Sequence, residues 1–411
     1  MKSAALLVSL ISSIAFVAAV PAQLVERNMF RGDAQAAAYF LTNQPTGNNI
    51  VVAALTSDGH VSYKHAMSTR GLGAHVTGST AADPLMSQGA IQASVSGQIL
   101  AAVNAGSSTV SLFSINPSDP TVIQQIGEPV SSEGEFPVAV TINKKGDQVC
   151  VLNAGQVNGV HCYTVDKTLG LIRQADTLRY LNVVRDPGPM TSAAHHIAFN
   201  DANDKLIVTV VGTPNYLAIW DVASNGTLSD NFTTVSPPSG GMNPFSLTPI
   251  PGKNAMVSAD TAVGADVWDL SVLSAQSNQT AAGKSASVSI GGQMANCWSA
   301  YSQKTGNFYF IDAGASIVTE VNVDQNLKGT VVKQYPQGTG STTLDAAVAT
   351  VGNTDFLYVL AANKTSIDVV SLDGPGNGKN VGSYDFSAMV KAMGIPVNAT
   401  WVQGMTTFSS A

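Results

Sequence analysis

Short apolar runs recur along the chain. Each is followed by an Asn/Asp/Gly-rich turn and then by a second run in which apolar and polar positions alternate. Seven such segments align: YFLTNQPTGNNIVVAAL, ILAAVNAGSSTVSLFSI, VCVLNAGQVNGVHCYTV, LIVTVVGTPNYLAIWDV, AMVSADTAVGADVWDL, FYFIDAGASIVTEVNV and LYVLAANKTSIDVVSL. A buried run, a turn and an alternating run are the pattern of a β-hairpin. The residue that ends the first strand falls at Asn43, Asn104, Asn153, Val211, Asp260, Asp312 and Ala361, at spacings of 49 to 61 residues. Such a period holds four strands with their turns, and self-similarity on this scale marks a repeat architecture.

A further strand precedes six of the seven anchors, in QGAIQASV, PVAVTI, HHIAF, PFSLTP, NCWSAY and DAAVAT. The first repeat lacks it, but WVQGMTTF, Trp401 to Phe408, matches the pattern. We therefore expect an all-β, seven-bladed β-propeller in which this C-terminal strand completes the first blade. Such closure leaves no free sheet edge, unlike an open solenoid, which needs capping ends. In the third repeat, pairing Asn153 with Gly159 puts Cys150 opposite Cys162. The expected outcome is a cross-strand disulfide, with two buried thiols as the alternative. Cys297 is left as a packed small hydrophobe.

Other features bear on where the chain works. Met1-Lys2, the apolar stretch Ala4 to Val20 and Val20-Pro21-Ala22 have the layout of a secretory signal peptide over 1–22. A segment over 23–37 then leads to the propeller over 38–411. Five Asn-x-Thr sequons, at Asn225, Asn231, Asn278, Asn363 and Asn398, fit an exported glycoprotein, secreted or held in a cell wall. With 11% charged residues, a net charge of −7 and no basic run, nucleic acid is excluded as a partner. No second apolar run of membrane-spanning length occurs. A monomer with no cofactor is expected. Arg31-Gly32-Asp33 is a receptor-binding tripeptide in form, at a background frequency that favours coincidence.

For chemistry, His195 and His196 stand side by side at a strand start. Alternation sends one side chain each way, so one of them at most faces the channel. The same strand position around the ring reads Gln88, Pro137, His195, Pro244, Asn296 and Asp345. The turn positions add Asn104, Asn153, Asp260 and Asp312. Gln88, Asn296, Asp345, Asp260 and Asp312 are thus candidate ligand contacts at the channel mouth, although Asn and Asp at turns more often serve the turn. No spacing such as HExxH supports a metal site.

The run PGPMTSAAHHIAFNDANDKLIVTVVGTPNYLAIWDV, from Pro187, resembles the fourth-blade region of the lactonase-type propellers, the family of 6-phosphogluconolactonase and the 3-carboxymuconate cyclases. The overall texture is most similar to its secreted fungal, cell-wall branch. The resemblance implies a catalytic histidine at His196. It also places the family's arginine at His195, its glutamate at Gly212, and Phe136-Pro137 where a histidine often stands. On that basis the expected function is a surface-binding or adhesion protein with an eroded catalytic site, whose partner is a matrix protein or glycan. The alternative is a lactonase or cycloisomerase acting on a small carboxylated lactone. Arg173, Arg179 and Arg185 are its candidate anion binders.

Overall fold

The computed structural model describes residues 34–76, 79–183, 193–273 and 278–410. The signal-peptide reading over 1–22, the Arg31-Gly32-Asp33 tripeptide and Arg185 lie outside the described residues.

The repeats fold into seven sheets of four or five strands, one per predicted blade. Blade one runs outward from Gln403–Ser409 through Ala36–Leu41 and Asn49–Leu55 to Val61–Ser68. The closing strand therefore comes from the far end of the sequence, with Phe40 opposite Met405 and Ala36 opposite Ser409. The innermost strands of blades two to seven are Ile91–Ser94, Pro137–Ile142, Ala193–Phe199, Thr248–Pro249, Asn296–Ser302 and Thr343–Val351. Blade five has the shortest: Pro244 precedes it, Pro249 ends it, and neither has an N–H to give the ladder. Only a bridge from Pro244 to Asp260 extends the pairing.

The core lies between neighbouring blades. Each central strand is buried on both faces, which is why the first run of every hairpin reads as continuously apolar. Phe40, Tyr358 and Phe386 pack between blades seven and one, and Trp268 packs with Leu217 and Ile219 between blades four and five. In blade three, Asn153 pairs with Gly159 and Cys150 with Cys162. The two sulfurs form the expected disulfide, fully buried, with the Cα atoms 4.0 Å apart. Cys297 is a buried free cysteine. Burial pushes its thiol well above the ordinary range, and Asp83 and Asp312 add to the effect.

Candidate functional site: a cup beneath a plugged channel

The axial channel is not open from end to end. Residues 85–89, which lead into blade two, bond to the innermost strands of five other blades. Trp298 Nε1 donates to the Ser87 carbonyl (3.0 Å), and the Gln88 amide both donates to and accepts from the Ser299 backbone (2.8 and 2.9 Å). Ser87 Oγ donates to the Val138 carbonyl at 2.8 Å, and Gln403 Nε2 donates to the Ser87 carbonyl at 2.6 Å. The Gly89 N–H bonds to Asp345. The Gln88 N–H donates to the His195 carbonyl at 3.1 Å. A segment that reaches blades one, three, four, six and seven must cross the axis. It closes the channel on the side where the innermost strands begin. Gly89 has φ +89°, a conformation that costs an L side chain strain and glycine none.

On the other side of this plug, where those strands end, all seven blades line a cup of about 390 Å³. Its depth holds His196, Gln88, Gln92 and Ser299. Ile142, Ala198, Ala300, Ala346 and Met405 give apolar wall, and Thr248 and Thr406 contribute hydroxyls. A few convergent polar groups in an apolar concavity is the usual composition of a small-molecule site.

A β-bulge decides how the histidine pair is used. The register slips between Ala194 and His196, so His195 is the extra residue and simple alternation does not apply. Both side chains are buried. His195 turns to the plug: its Nδ1–H donates to the Met86 carbonyl (2.6 Å), and its ring stacks on Phe245 with centroids 4.6 Å apart. His196 turns to the cup. Its Nδ1 accepts the Leu247 N–H at 2.8 Å, which fixes the ring proton on Nε2. A Cβ on Gly89 would lie 3.1 Å from that Nε2 and 3.3 Å from Gln92 Nε2, so both nitrogens close on the glycine. Burial lowers the His196 pKa to about 3. The imidazole is therefore neutral and presents an N–H donor to the cup.

The other predicted positions are spread more widely. Gln88 and Asp345 meet at the plug. Asp345 Oδ2 also accepts the Gly404 N–H at 2.7 Å, while burial raises its pKa to about 8. Asp260 accepts the N–H groups of Met242, Asn243, Ala262 and Val263, and Asp312 those of Met294, Ala295 and Ala315. Those two carboxylates thus hold turns, as does Asn153 through the Ser132 carbonyl. Asn296 donates to the Gly264 carbonyl. Arg173 pairs with Glu133, and Arg179 is bonded to the Leu228 and Ser229 carbonyls, so neither lines the cup. Gly212 donates its N–H to Asn215 Oδ1 at 2.6 Å.

Three features had no sequence signal: Gln92, the rim pair Lys144–Asp201 and the buried Asp266. Both Asp266 oxygens lack a donor, and the carboxyl faces Asp260. Burial first, then Asp260, pushes its pKa well up, which favours the protonated carboxyl. Among the described residues, no group of three or more His, Cys, Asp or Glu side chains is placed to hold a metal ion. No described helix is long and apolar enough to cross a membrane. All five sequon asparagines are exposed, and Asn225 and Asn398 each accept both the N–H and the hydroxyl of their own sequon threonine.

A family description, "Lactonase, 7-bladed beta-propeller", matches residues 27–184. Two solved structures superpose with a TM-score of 0.64. One is a 6-phosphogluconolactonase homologue from Bacteroides fragilis, at 13% identity over 91% of this chain and 98% of that one. The other is a periplasmic gluconolactonase from Pseudomonas aeruginosa, at 14% identity over 91% of this chain and 100% of that one. The fold shared with both is the seven-bladed β-propeller. A functionally unknown protein from Desulfotomaculum acetoxidans shares the fold, with a TM-score of 0.56 and 15% identity over 91% and 99% of the two chains. No curated protein matches the sequence. The likeness to these bacterial proteins is one of fold, and it does not single out the fungal cell-wall branch.

Proposed function

We propose that the chain is a lactonase that opens a small cyclic ester in the cup, with His196 as the hydrogen-bond donor to the ester carbonyl. The observation that carries this reading is the orientation of His196: its Nδ1 is tied to Leu247, so Nε2–H is the group left to face a ligand. A pre-aimed donor stabilises the oxyanion that forms when water adds to the carbonyl carbon. The ring C–O bond then breaks, and the ring oxygen leaves as a hydroxyl carrying the proton the attacking water gives up. A hydroxy acid is the product. The lactonase-type fold supports the same reading, although fold alone does not assign chemistry. It departs from the surface-binding expectation because the cup is formed by all seven blades and holds an oriented donor.

The test is turnover of a panel of sugar lactones and simple δ-lactones by the purified protein and by His196→Asn. Asparagine keeps an acceptor for the Leu247 N–H and lacks the donor at Nε2. Loss of about a hundredfold or more in kcat, with the fold intact, is the expected result. Equal turnover by the variant, or none by either protein, would sink the assignment.

Export is part of the proposal. The leader layout, the five exposed sequons and the buried disulfide all suit an oxidising compartment. Expression in a glycosylating host, followed by enzymatic deglycosylation and mass measurement, checks it: an unchanged mass counts against glycan at every sequon.

A further inference from the structure

Resting on the lactonase reading, we infer that the cup selects uncharged, hydroxyl-bearing lactones and discriminates against phosphorylated or carboxylated ones, and that Asp201 sets this preference. Of the described residues that line the cup, Lys144 is the one cation and Asp201 the one anion, and both stand at the rim. Lys144 Nζ lies 3.5 Å from Asp201 Oδ1, while Asp201 Oδ2 accepts the Gly252 N–H at 2.9 Å. The Lys144 backbone is fixed as well, through its N–H to Asn203 Oδ1 at 2.6 Å. The cup's one positive charge is therefore already neutralised by its neighbour.

Deeper in, none of the described lining residues replaces it. His196 is a neutral donor, Gln88 is tied to the Ser299 backbone through both its amide nitrogen and its oxygen, and the Thr248 and Ser299 hydroxyls bond to each other at 2.8 Å. A phosphate or carboxylate brought into this space would lose its water without gaining a cation, and unpaired burial of charge is costly. A neutral ring carrying hydroxyls has partners to exchange with instead: the Nε2–H of His196, the Gln92 amide and the Thr406 hydroxyl. Removing the negative charge at Asp201 would release Lys144 and relax the selection.

The measurement is calorimetric binding of a non-hydrolysable pair, D-glucono-1,5-lactam and its 6-phosphate, to the full chain, with lactone turnover recorded in parallel. The wild-type protein is expected to favour the neutral lactam by roughly tenfold or more. In Asp201→Asn, affinity for the phosphate should rise by about fivefold relative to the lactam, the most an exposed pair at this rim would give. The double variant Asp201→Asn/Lys144→Gln should return the ratio to the wild-type value, because the freed cation is then gone. Absence of lactam binding, tighter wild-type binding of the phosphate, or a ratio that Asp201→Asn leaves unmoved would each overturn the inference. Selective lactam binding without turnover of any lactone would leave the selectivity standing and remove the hydrolytic reading.

Discussion

His196 should make the protein sensitive to acid, and the size of the effect follows from its surroundings. The imidazole titrates near 6.5 when free and at about 3 when folded, because burial opposes its charged form. The unfolded chain therefore takes up a proton, between pH 6.5 and 3, that the folded chain refuses. A folded pKa below the unfolded one means that this group's stability is full above pH 6.5 and falls away as the pH drops toward 3. Each pH unit is worth about 1.4 kcal/mol, so the whole window amounts to about 5 kcal/mol. Other buried groups act in the same range. His161, lowered to about 4 chiefly by burial, adds in the same direction, whereas Asp345, raised to about 8, opposes it. The absolute pH profile of the wild-type protein is thus uninformative, and the difference from His196→Asn isolates one residue. The assay is urea unfolding from pH 4 to 7, followed by fluorescence, with Trp220, Trp268 and Trp298 fully buried as reporters. Asparagine leaves a small cavity whose cost does not depend on pH. Relative to the variant, the wild-type protein should gain about 2.7 kcal/mol between pH 4 and 6. Parallel stability curves would refute the reasoning. They would show that the ring takes a proton freely, and so that it is neither dry nor held by Leu247.

Two further outcomes test the scaffold. Asp266→Asn should gain stability on the wild-type protein as the pH rises from about 4 toward 7, read as thermal midpoints. The folded carboxyl, its pKa raised by burial, keeps a proton that the unfolded chain gives up over that range, while the amide has none to lose; a midpoint difference that does not change with pH contradicts the raised pKa. Replacing Cys150 and Cys162 by alanine should cost up to about 3 kcal/mol, as expected for a crosslink spanning 12 residues, measured as the fall in urea unfolding free energy.

The fold was legible because each blade repeats a local pattern. Apolar runs end at turn residues, and pairing Asn153 with Gly159 was enough to place Cys150 against Cys162. The closing strand was legible for the same reason, since WVQGMTTF carries the innermost-strand pattern away from its neighbours in sequence. The site was only half legible. The histidine pair marked the right strand, but one inserted residue at His195 broke the alternation on which its orientation was read. The plug left no local trace, because its partners lie far off in sequence: Ser87 meets Trp298 and Gln403. Such contacts are set by where blades sit around a ring, which no periodicity within one blade encodes. The rim pair was hidden likewise, Lys144 and Asp201 coming from the ends of innermost strands in adjacent blades.

The way blade one is completed has a consequence for how the molecule is made. Ala36–Leu41 leaves the ribosome about 360 residues ahead of its inner neighbour, Gln403–Ser409. At ordinary elongation rates roughly 20 to 70 seconds separate them. Throughout that interval the first sheet offers an unpaired apolar edge, and the opposite end of the growing arc offers a bare blade face. Six blades can form in succession during synthesis, but the ring locks only after translation has reached the final strand. Until then the nascent chain is a sticky, incomplete crescent, and whatever shields its two ends during those seconds governs the yield of native protein.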